Sequence, residues 1–586
     1  MKKILYTITC GLLFGMSSCQ DIFLDLDPLD TRTDAVYFKK ASDFKEYATS
    51  FYGQLLGWNS RYGSIYTHMD GATDLSTYFA YSGDLAHGII QVPTNDERWD
   101  KCYENIRVVN ILLEKAKGYP GSQAEIRESL SEAYFFRAYT YFYLLKMFGG
   151  VPIVKDVLDV DSPELTGPRN SRYEVVDLIL SDLDQAIAGL PKEQNIPATE
   201  KGRISYYGAK SFKARVLLYE ATWRKYNGTS TDFEGSAGPA RDQVNEFLDE
   251  AIALCDDVIM NGKYTIWNYN GNSSMEKMSS RYLFCLEDAD SNPAGLTKAS
   301  NNEFIIYSVF DKTAKPGGIN LNQTIPKMDV SRKFIDMFVC TDGLPITKSP
   351  HRFMGYANPG DEFQNRDYRL KSYIETPATS IVLNNGTSGY HTVKFQAVNR
   401  VNLEESANYP VLRLAEVYLN YAEALYERNG NITDEQLGKS INILRNRAGV
   451  KGLDNDFVTD NGLDMLTEIR RERTVELYME GHRFDDLKRW GIAEKELNAS
   501  RCGMVVGNAE YPTVFVGSDG KSTSQYNRSA YVWGEEKVET PVGAVNSVVI
   551  DSKSNFNFSK THYLWPLPQQ QRNMNPNLVQ NPGYAK

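Results

Sequence analysis

Cysteine is scarce in this 586-residue chain. The seven are Cys10, Cys19, Cys102, Cys255, Cys285, Cys340 and Cys502, with no Cys-x-x-Cys pair among them. That spacing argues against a structural zinc site and against a dense disulfide framework, and an odd count leaves at least one free thiol, expected to be buried and inert. Histidine is scarce too: His68, His87, His351, His391, His482 and His562 are far apart and form no His-Glu-x-x-His pair, so a catalytic zinc site is not expected. There is no excess of positive charge. Lys and Arg number 64 against 75 Asp and Glu, a formal net charge of -11, which leaves no footprint for nucleic acid and repels anionic lipid. No Gly-x-Ser-x-Gly elbow occurs. Gly517 to Thr523, GSDGKST, has two residues between its glycines where a phosphate loop needs four, and reads as a surface loop. The acidic runs Asp288 to Asp290 and Asp454 to Asp460 offer oxygens to calcium, but neither fits the helix-loop-helix calcium spacing, so solvated loops and no cofactor are expected.

Long apolar runs are also missing beyond the N-terminus, where one short run is informative. Lys2 and Lys3 precede a mostly apolar stretch, Ile4 to Met16, that is too short to span a bilayer. Ser17, Ser18 and Cys19 follow. This reads as a secretory leader over residues 1–18 ending at a lipobox, with Met16 where Leu is commoner. Cleavage would leave Cys19 as the acylated first residue. Each buried methylene is worth about 0.8 kcal/mol, so several chains anchor a protein firmly. The expectation is a chain anchored to a membrane without crossing it.

What is abundant is helical periodicity and aromatic side chains: 37 Tyr, 26 Phe and 7 Trp. Helices are predicted at Ser42–Leu56 (capped by Ser42 or Asp43), Arg98–Lys117, Ser122–Phe148, Ser171–Leu190, Ser205–Arg224, Asn245–Met260, Val411–Arg428, Thr433–Ala448 and Leu463–Glu480. Gly149, Gly150 and Pro152 stop the third. The helices pair across short polar links and carry small residues such as Ala133, Ala138, Ala209, Ala214, Ala415 and Ala422, which let neighbours approach closely. The expected class is mainly α. Pattern alone leaves a tetratricopeptide-like stack of hairpins and a generic helical bundle equally open, because no strict repeat of period 34 can be read. The scaffold is placed at about 42–260 and 411–490, with loop-rich regions at about 262–410, including a strand-like run at Glu303–Phe310, and at 498–586.

Seven stretches carry a family resemblance: CQDIFLDLDP from Cys19, EAYFFRAYTYFYLLKMFGGVPI from Glu132, AKSFKARVLLYEA from Ala209, FVCTDGLPI from Phe338 with NRDYRL from Asn365, LRLAEVYLNYAEALYERNG from Leu412 with INILRNRAG from Ile441, RRERTVELYMEGHRFDDLKRW from Arg470, and LWPLPQQQRNMNPNLVQNPGY from Leu564. In this order they resemble the SusD/RagB family along essentially all of residues 19–586. The resemblance implies one domain, with a tetratricopeptide-like scaffold and a loop-rich ligand face. It also implies a surface-exposed outer-membrane lipoprotein that captures oligosaccharide, or peptide in some members, and hands it to a SusC-like TonB-dependent transporter.

The motifs themselves look structural. Glu472, Glu476 and Glu480 recur at spacing four among Arg471, Arg473, Arg483 and Arg489, beside an apolar side of Leu477, Phe484, Leu487 and Trp490. Helical geometry brings such charges together, so this reads as a partly buried ion-pair lattice. Trp565 is expected to pack onto the scaffold. A glycosidase pair among Glu480, Asp485 and Asp486 is the competing reading, and no enzyme is expected. A glycan face needs flat aromatic rings beside carboxylate, amide or guanidinium groups, on loops held by a rigid scaffold. Two stretches fit. Trp58 to Asp84 mixes Trp58, Tyr62, Tyr78 and Tyr81 with Arg61, Asp70 and Asp74, while Trp267 to Tyr282 offers Trp267, Tyr269 and Tyr282.

Overall fold

The structure is a computed structural model. It describes residues 37–58, 70–78, 85, 87–230, 232–318, 321, 328–356, 360–375, 388–398, 403–505, 515–516, 522–523, 532–541 and 543–585. The leader, Cys19, Arg61, Tyr62 and Tyr81 lie outside these residues.

The chain is mainly α-helical and tetratricopeptide-like. Helices α1 (Ala41–Ser50), α2 (Glu97–Lys117), α3 (Gln123–Phe148), α4 (Arg172–Gly189), α5 (Tyr206–Asn227) and α6 (Val244–Asn261) pack in succession, α2 on α3, α3 on α4, α4 on α5 and α5 on α6. Side-chain caps start most of them. Asp96 accepts from the Arg98 N–H, Ser122 from Ala124 and Ser205 from Gly208, while Ser171 and Glu174 form a reciprocal capping box. α3 is buried on nearly every side, as a helix flanked by α1, α2 and α4 must be. It ends at Gly149, whose φ of 74° suits glycine. Gly150 is fixed by proximity instead: a Cβ there would stand 2.2 Å from the Asn170 carbonyl oxygen.

After α6 the chain leaves the scaffold through short turns and the small helices α7 (Arg332–Met337) and α8 (Tyr368–Tyr373). Strand β1 (Ser76–Tyr78) pairs antiparallel with β3 (Met328–Val330), and β2 (Phe304–Ser308) with β4 (Tyr409–Arg413), so the excursion is closed at its base where it returns to the scaffold. Then come α9 (Leu414–Asn429), a broken pair Asp434–Gly438 and α10 (Ile441–Arg447), α11 (Met465–Glu476) and α12 (Arg483–Arg489). α9 packs on α5, α6 and α11. One apolar cluster runs from Tyr37 to Leu578.

Several predicted boundaries move. The first helix stops at Ser50 and tightens into a 3-10 turn, Phe51–Gln54. Its N-cap is Lys40, with the Asp43 carboxylate accepting the N–H groups of Lys39 and Lys40 at 2.9 Å each. Residues Val411–Arg413 are strand, drawn into pairing with β2. The predicted Thr433–Ala448 helix breaks at Ser440, and α11 stops at Glu476 because the chain turns through Met479 at φ 63°. The region after Asn498 holds an antiparallel hairpin, β6 (Val532–Thr540) and β7 (Gly543–Asp551), with β5 (Arg501–Cys502) on its edge. All five cysteines among the described residues are buried and unbridged. Burial pushes the Cys285 thiol up to about 12.

Candidate ligand face and cleft

The Arg/Glu run at 470–489 nucleates a buried lattice larger than its own helices. Arg413, fully buried at the end of β4, donates from Nη1 to Glu303 at 2.7 Å and to Glu476 at 2.6 Å. Its Nη2 and Nε both reach Glu480 at 2.8 Å. Arg447 bridges Glu303 and Glu476, Arg369 bridges Asp367, Glu472 and Glu476, and Lys394 pairs with Glu480. With Arg445 near Glu472 at 3.5 Å, five cations face five carboxylates, so the cluster is neutral. Burial alone would raise Glu476, but Arg447, Arg413 and Arg369 hold it well below the usual carboxylate range. Burial lowers the Lys394 ammonium to about 8 against the pull of Glu480.

Trp267 bonds to this lattice through Glu303, and the other predicted contacts among the described residues are fastened elsewhere inside the protein. Trp58 is a core residue. Its ring packs edge-on against Tyr409 and Phe395, and its Nε1 donates to the Ala407 carbonyl at 2.9 Å. Asp70 is buried and accepts the backbone N–H groups of Met479 at 2.8 Å and Arg483 at 3.2 Å. Asp74 is buried under Arg483, which grips it with two bonds at 2.9 and 2.7 Å, and pairs with Lys333 at 2.5 Å. Burial pushes the Asp70 carboxyl up to about 7, whereas Arg483 and Lys333 overcome burial and pull Asp74 well below its ordinary value. Trp267 is buried as well, giving its N–H to Glu303 at 2.9 Å and its Nε1 to Ser300 at 3.1 Å. Tyr282 is buried, and Tyr269 is half-buried against the Trp267 ring at 4.9 Å.

Trp58, Asp70, Asp74, Trp267 and Tyr282 are all buried, so they do not present the exposed platforms and charges expected of them. The bonds of Trp58, Asp70, Asp74 and Trp267 are made inside the protein. Trp58 fastens one end of segment 59–69, and Asp70 and Asp74 fasten the other. Tyr78 lies in β1, paired with Met328. Of the predicted contacts, Arg61 and Tyr62 fall in segment 59–69 and Tyr81 in segment 79–84, all outside the described residues, and Tyr269 keeps partial exposure.

A second concave site was missed from the sequence. Helices α3, α5 and α12 and the C-terminal segment enclose about 130 Å³. Phe142, Tyr143, Phe484 and Trp565 form its apolar wall. Arg98 lies flat over the Trp565 ring at 3.7 Å, so Trp565 does pack on the scaffold as expected. Lys146 reaches Asp485 at 2.6 Å, and Lys488 reaches the other oxygen of Asp485 at 3.1 Å. The interpretable signal was Lys146 interrupting an otherwise apolar helical run, YFYLLKMF.

The carboxylates weighed as a hydrolytic pair are all engaged. Glu480 is held by Arg413 and Lys394, Asp486 by Arg473 and Arg489 at 2.8 Å each, and Asp485 by the two lysines. Burial would raise Asp485, yet Lys146 and Lys488 bring it down to about 2. A general acid needs a carboxyl that keeps its proton near neutral pH, and Asp485 and Glu480 are pulled the other way. Asp288 and Asp454, from the acidic runs, cap short helical turns by accepting the N–H groups of Asp290 and Phe457. Among the described residues, no helix is long and apolar enough to cross a membrane.

Two family models match the chain in series. One, described as the SusD family, matches residues 307–584. The other, described as starch-binding associating with outer membrane, matches residues 23–218. A SusD-like protein of Bacteroides ovatus is 24% identical over 509 residues, covering 85% of this chain and 84% of its own length. The starch-binding protein SusD of Bacteroides thetaiotaomicron is 23% identical over 517 residues, covering 82% and 77%. Among solved structures, a SusD-like protein from Bacteroides fragilis superposes with a TM-score of 0.69 at 21% identity, covering 95% of this chain and 100% of that one. A SusD-like carbohydrate binding protein from the same species gives 0.68 at 23% identity, covering 92% and 99%.

Proposed function

The chain belongs to the SusD/RagB family, and we propose that it is a cell-surface glycan-binding lipoprotein, which captures oligo- or polysaccharide and passes it to a SusC-like TonB-dependent transporter in the outer membrane. The observation that carries this reading is the pair of family models, which match residues 23–218 and 307–584 in series. The solved carbohydrate-binding relative supports the choice of ligand class. The lipobox at Cys19 supports anchoring by acyl chains. Binding, not hydrolysis, fits the locked state of Glu480 and Asp485.

The ligand face is assigned to the loops fastened by Trp58, Asp70, Asp74 and Trp267, with Arg61, Tyr62, Tyr81 and Tyr269 as the contacting residues. Rigid posts under such loops reduce the ordering that binding must impose. Native electrophoresis through gels cast with single polysaccharides tests this. The expected result is retardation by one polysaccharide class with no reducing ends released. Unchanged migration in every gel, or release of reducing ends, would overturn the reading. Cys19→Ala is expected to shift the protein out of the membrane fraction, and a SusC-like transporter should co-purify with the acylated form.

A further inference from the structure

The cleft between α3, α5 and α12 carries a charge imbalance that its surroundings do not cancel. Most cations on its wall have a carboxylate of their own: Arg98 pairs with Asp96 at 2.6 Å and Arg215 with Glu416 at 2.5 Å. Arg473 and Arg489 share Asp486 and Glu423. The anionic wall residue Glu480 faces Arg413 and Lys394. His482 is held neutral by burial and by Arg215 and Arg473. Lys146 and Lys488 differ, because two ammonium groups share the single carboxylate of Asp485. Arg172, the next cation near Lys488, shares Glu220 with Arg224 and lies outside the cleft wall. One positive charge is left over. Lys488 is almost fully enclosed, whereas Lys146 and Asp485 each keep 19% of their side-chain surface open. The accessible end of the imbalance is therefore the Lys146 ammonium, beside the Tyr143 ring at 5.0 Å and the Phe142 ring at 5.3 Å.

We propose that this cleft is a binding subsite for one anionic sugar unit, its carboxylate or sulfate received by Lys146 and its ring lying against Tyr143 and Phe484. An anion there completes the charge balance of Lys146, Asp485 and Lys488, and the ammonium supplies a charge-assisted hydrogen bond inside a partly dry wall. The cleft holds only about 130 Å³ and opens to solvent, so it takes the charged group and one face of a single ring, with the rest of the ligand outside. That the anion is carried on a sugar rests on the proposed glycan-binding function, but the subsite does not depend on the loop face. A silent polysaccharide panel would leave it standing, and its own failure would leave the loop face standing.

The test is calorimetric titration of the folded protein with glucuronate, glucose 6-sulfate, glucose and inorganic sulfate. The two acidic sugars separate a carboxylate from a sulfate ester. The expected result is heat with at least one acidic sugar and none with glucose. Lys146→Met is expected to weaken that binding about tenfold or more, the scale of a hydrogen bond to a charged group. Asp485→Asn is expected to tighten it, since both ammonium groups are then uncompensated; a merely structural role for Asp485 would give a loss. No heat with either acidic sugar, equal affinity for inorganic sulfate and for the sugars, or unchanged affinity in Lys146→Met with an unchanged melting temperature would overturn the proposal.

Discussion

Arg413→Met is the sharpest probe of the buried lattice. The substitution keeps most of the side-chain volume and removes a fully buried guanidinium that bonds three carboxylates, Glu303, Glu476 and Glu480. Breaking a buried ion pair on one side costs about 3–5 kcal/mol, because it strands the other charge. Here the stranding is partial. Glu303 and Glu476 keep Arg447, Glu476 also keeps Arg369, and Glu480 keeps Lys394. The loss should thus lie near the lower end, about 3 kcal/mol. Unfolding entropy of roughly 2.1 cal/mol/K per residue gives about 1.2 kcal/mol/K for a chain of this length, so the melting temperature should fall by about 2–3 °C. The substitution also leaves the cluster one negative charge in excess. Adding Glu480→Gln restores neutrality, so the double variant should be destabilised by less than the sum of the two single variants, with a coupling of about 1–3 kcal/mol. Scanning calorimetry of the four proteins measures this cycle. Strict additivity, or a single variant melting with the parent, would refute the claim that the lattice works as one charge-balanced unit.

Other outcomes follow from the same geometry. Trp58→Ala should destabilise by about 3–5 kcal/mol through loss of a packed ring, while Trp58→Phe should retain whatever glycan binding the parent shows; parent-like melting of Trp58→Ala would return Trp58 to the surface. Burial raises Asp70 and Asp329 from an ordinary 3.8 to about 7. Their protonated forms thus stabilise the fold fully below the ordinary carboxylate value, and this is lost as pH rises through about 7. Asp70→Asn removes this titration but sets an amide NH2 against one of the two backbone donors, so the variant should melt below the parent near pH 4, and the gap should narrow as pH rises to 8. Glu476 and Glu480 are shifted down, so their contribution is present above the ordinary carboxylate value and is lost as the solution is acidified through their lowered values. Gly150→Ala would place its Cβ 2.2 Å from the Asn170 oxygen, and should lower the melting temperature more than Gly53→Ala, where a Cβ meets nothing within 4 Å.

The scaffold was legible in the sequence because its signals are local. Periodicity, caps such as Ser122 and Ser171, and the Gly149–Gly150 stop place α2 to α6 within a few residues. The misplacements arose where distant pairing overrides local preference: Val411–Arg413 pairs with β2, and Met479 bends so that its N–H reaches Asp70. The hairpin of β6 and β7 was readable in outline from its valines and the Pro541 turn, but was absorbed into a region judged by its loops. The ion-pair lattice was half visible. Spacing at 472, 476 and 480 showed the carboxylates, while Arg369, Arg413 and Arg447 arrive from other segments and could not be counted. The ligand face was the least legible part. Trp58, Asp70 and Trp267 have the composition of a sugar platform, and composition does not distinguish a ring that faces solvent from one that fastens a loop. The cleft needs four segments at once, and only Lys146 within an apolar run hinted at it.

The central claim is glycan capture by the anchored loops. Its most direct test is calorimetric titration of the protein, starting after Cys19, against starch, fructans, dextran, mannan and host glycans, with Tyr62→Ala and Tyr81→Ala alongside. The account predicts heat with one class, abolished or weakened at least tenfold in one of these variants with an unchanged melting temperature. Silence across the panel, with heat from peptides instead, would contradict it.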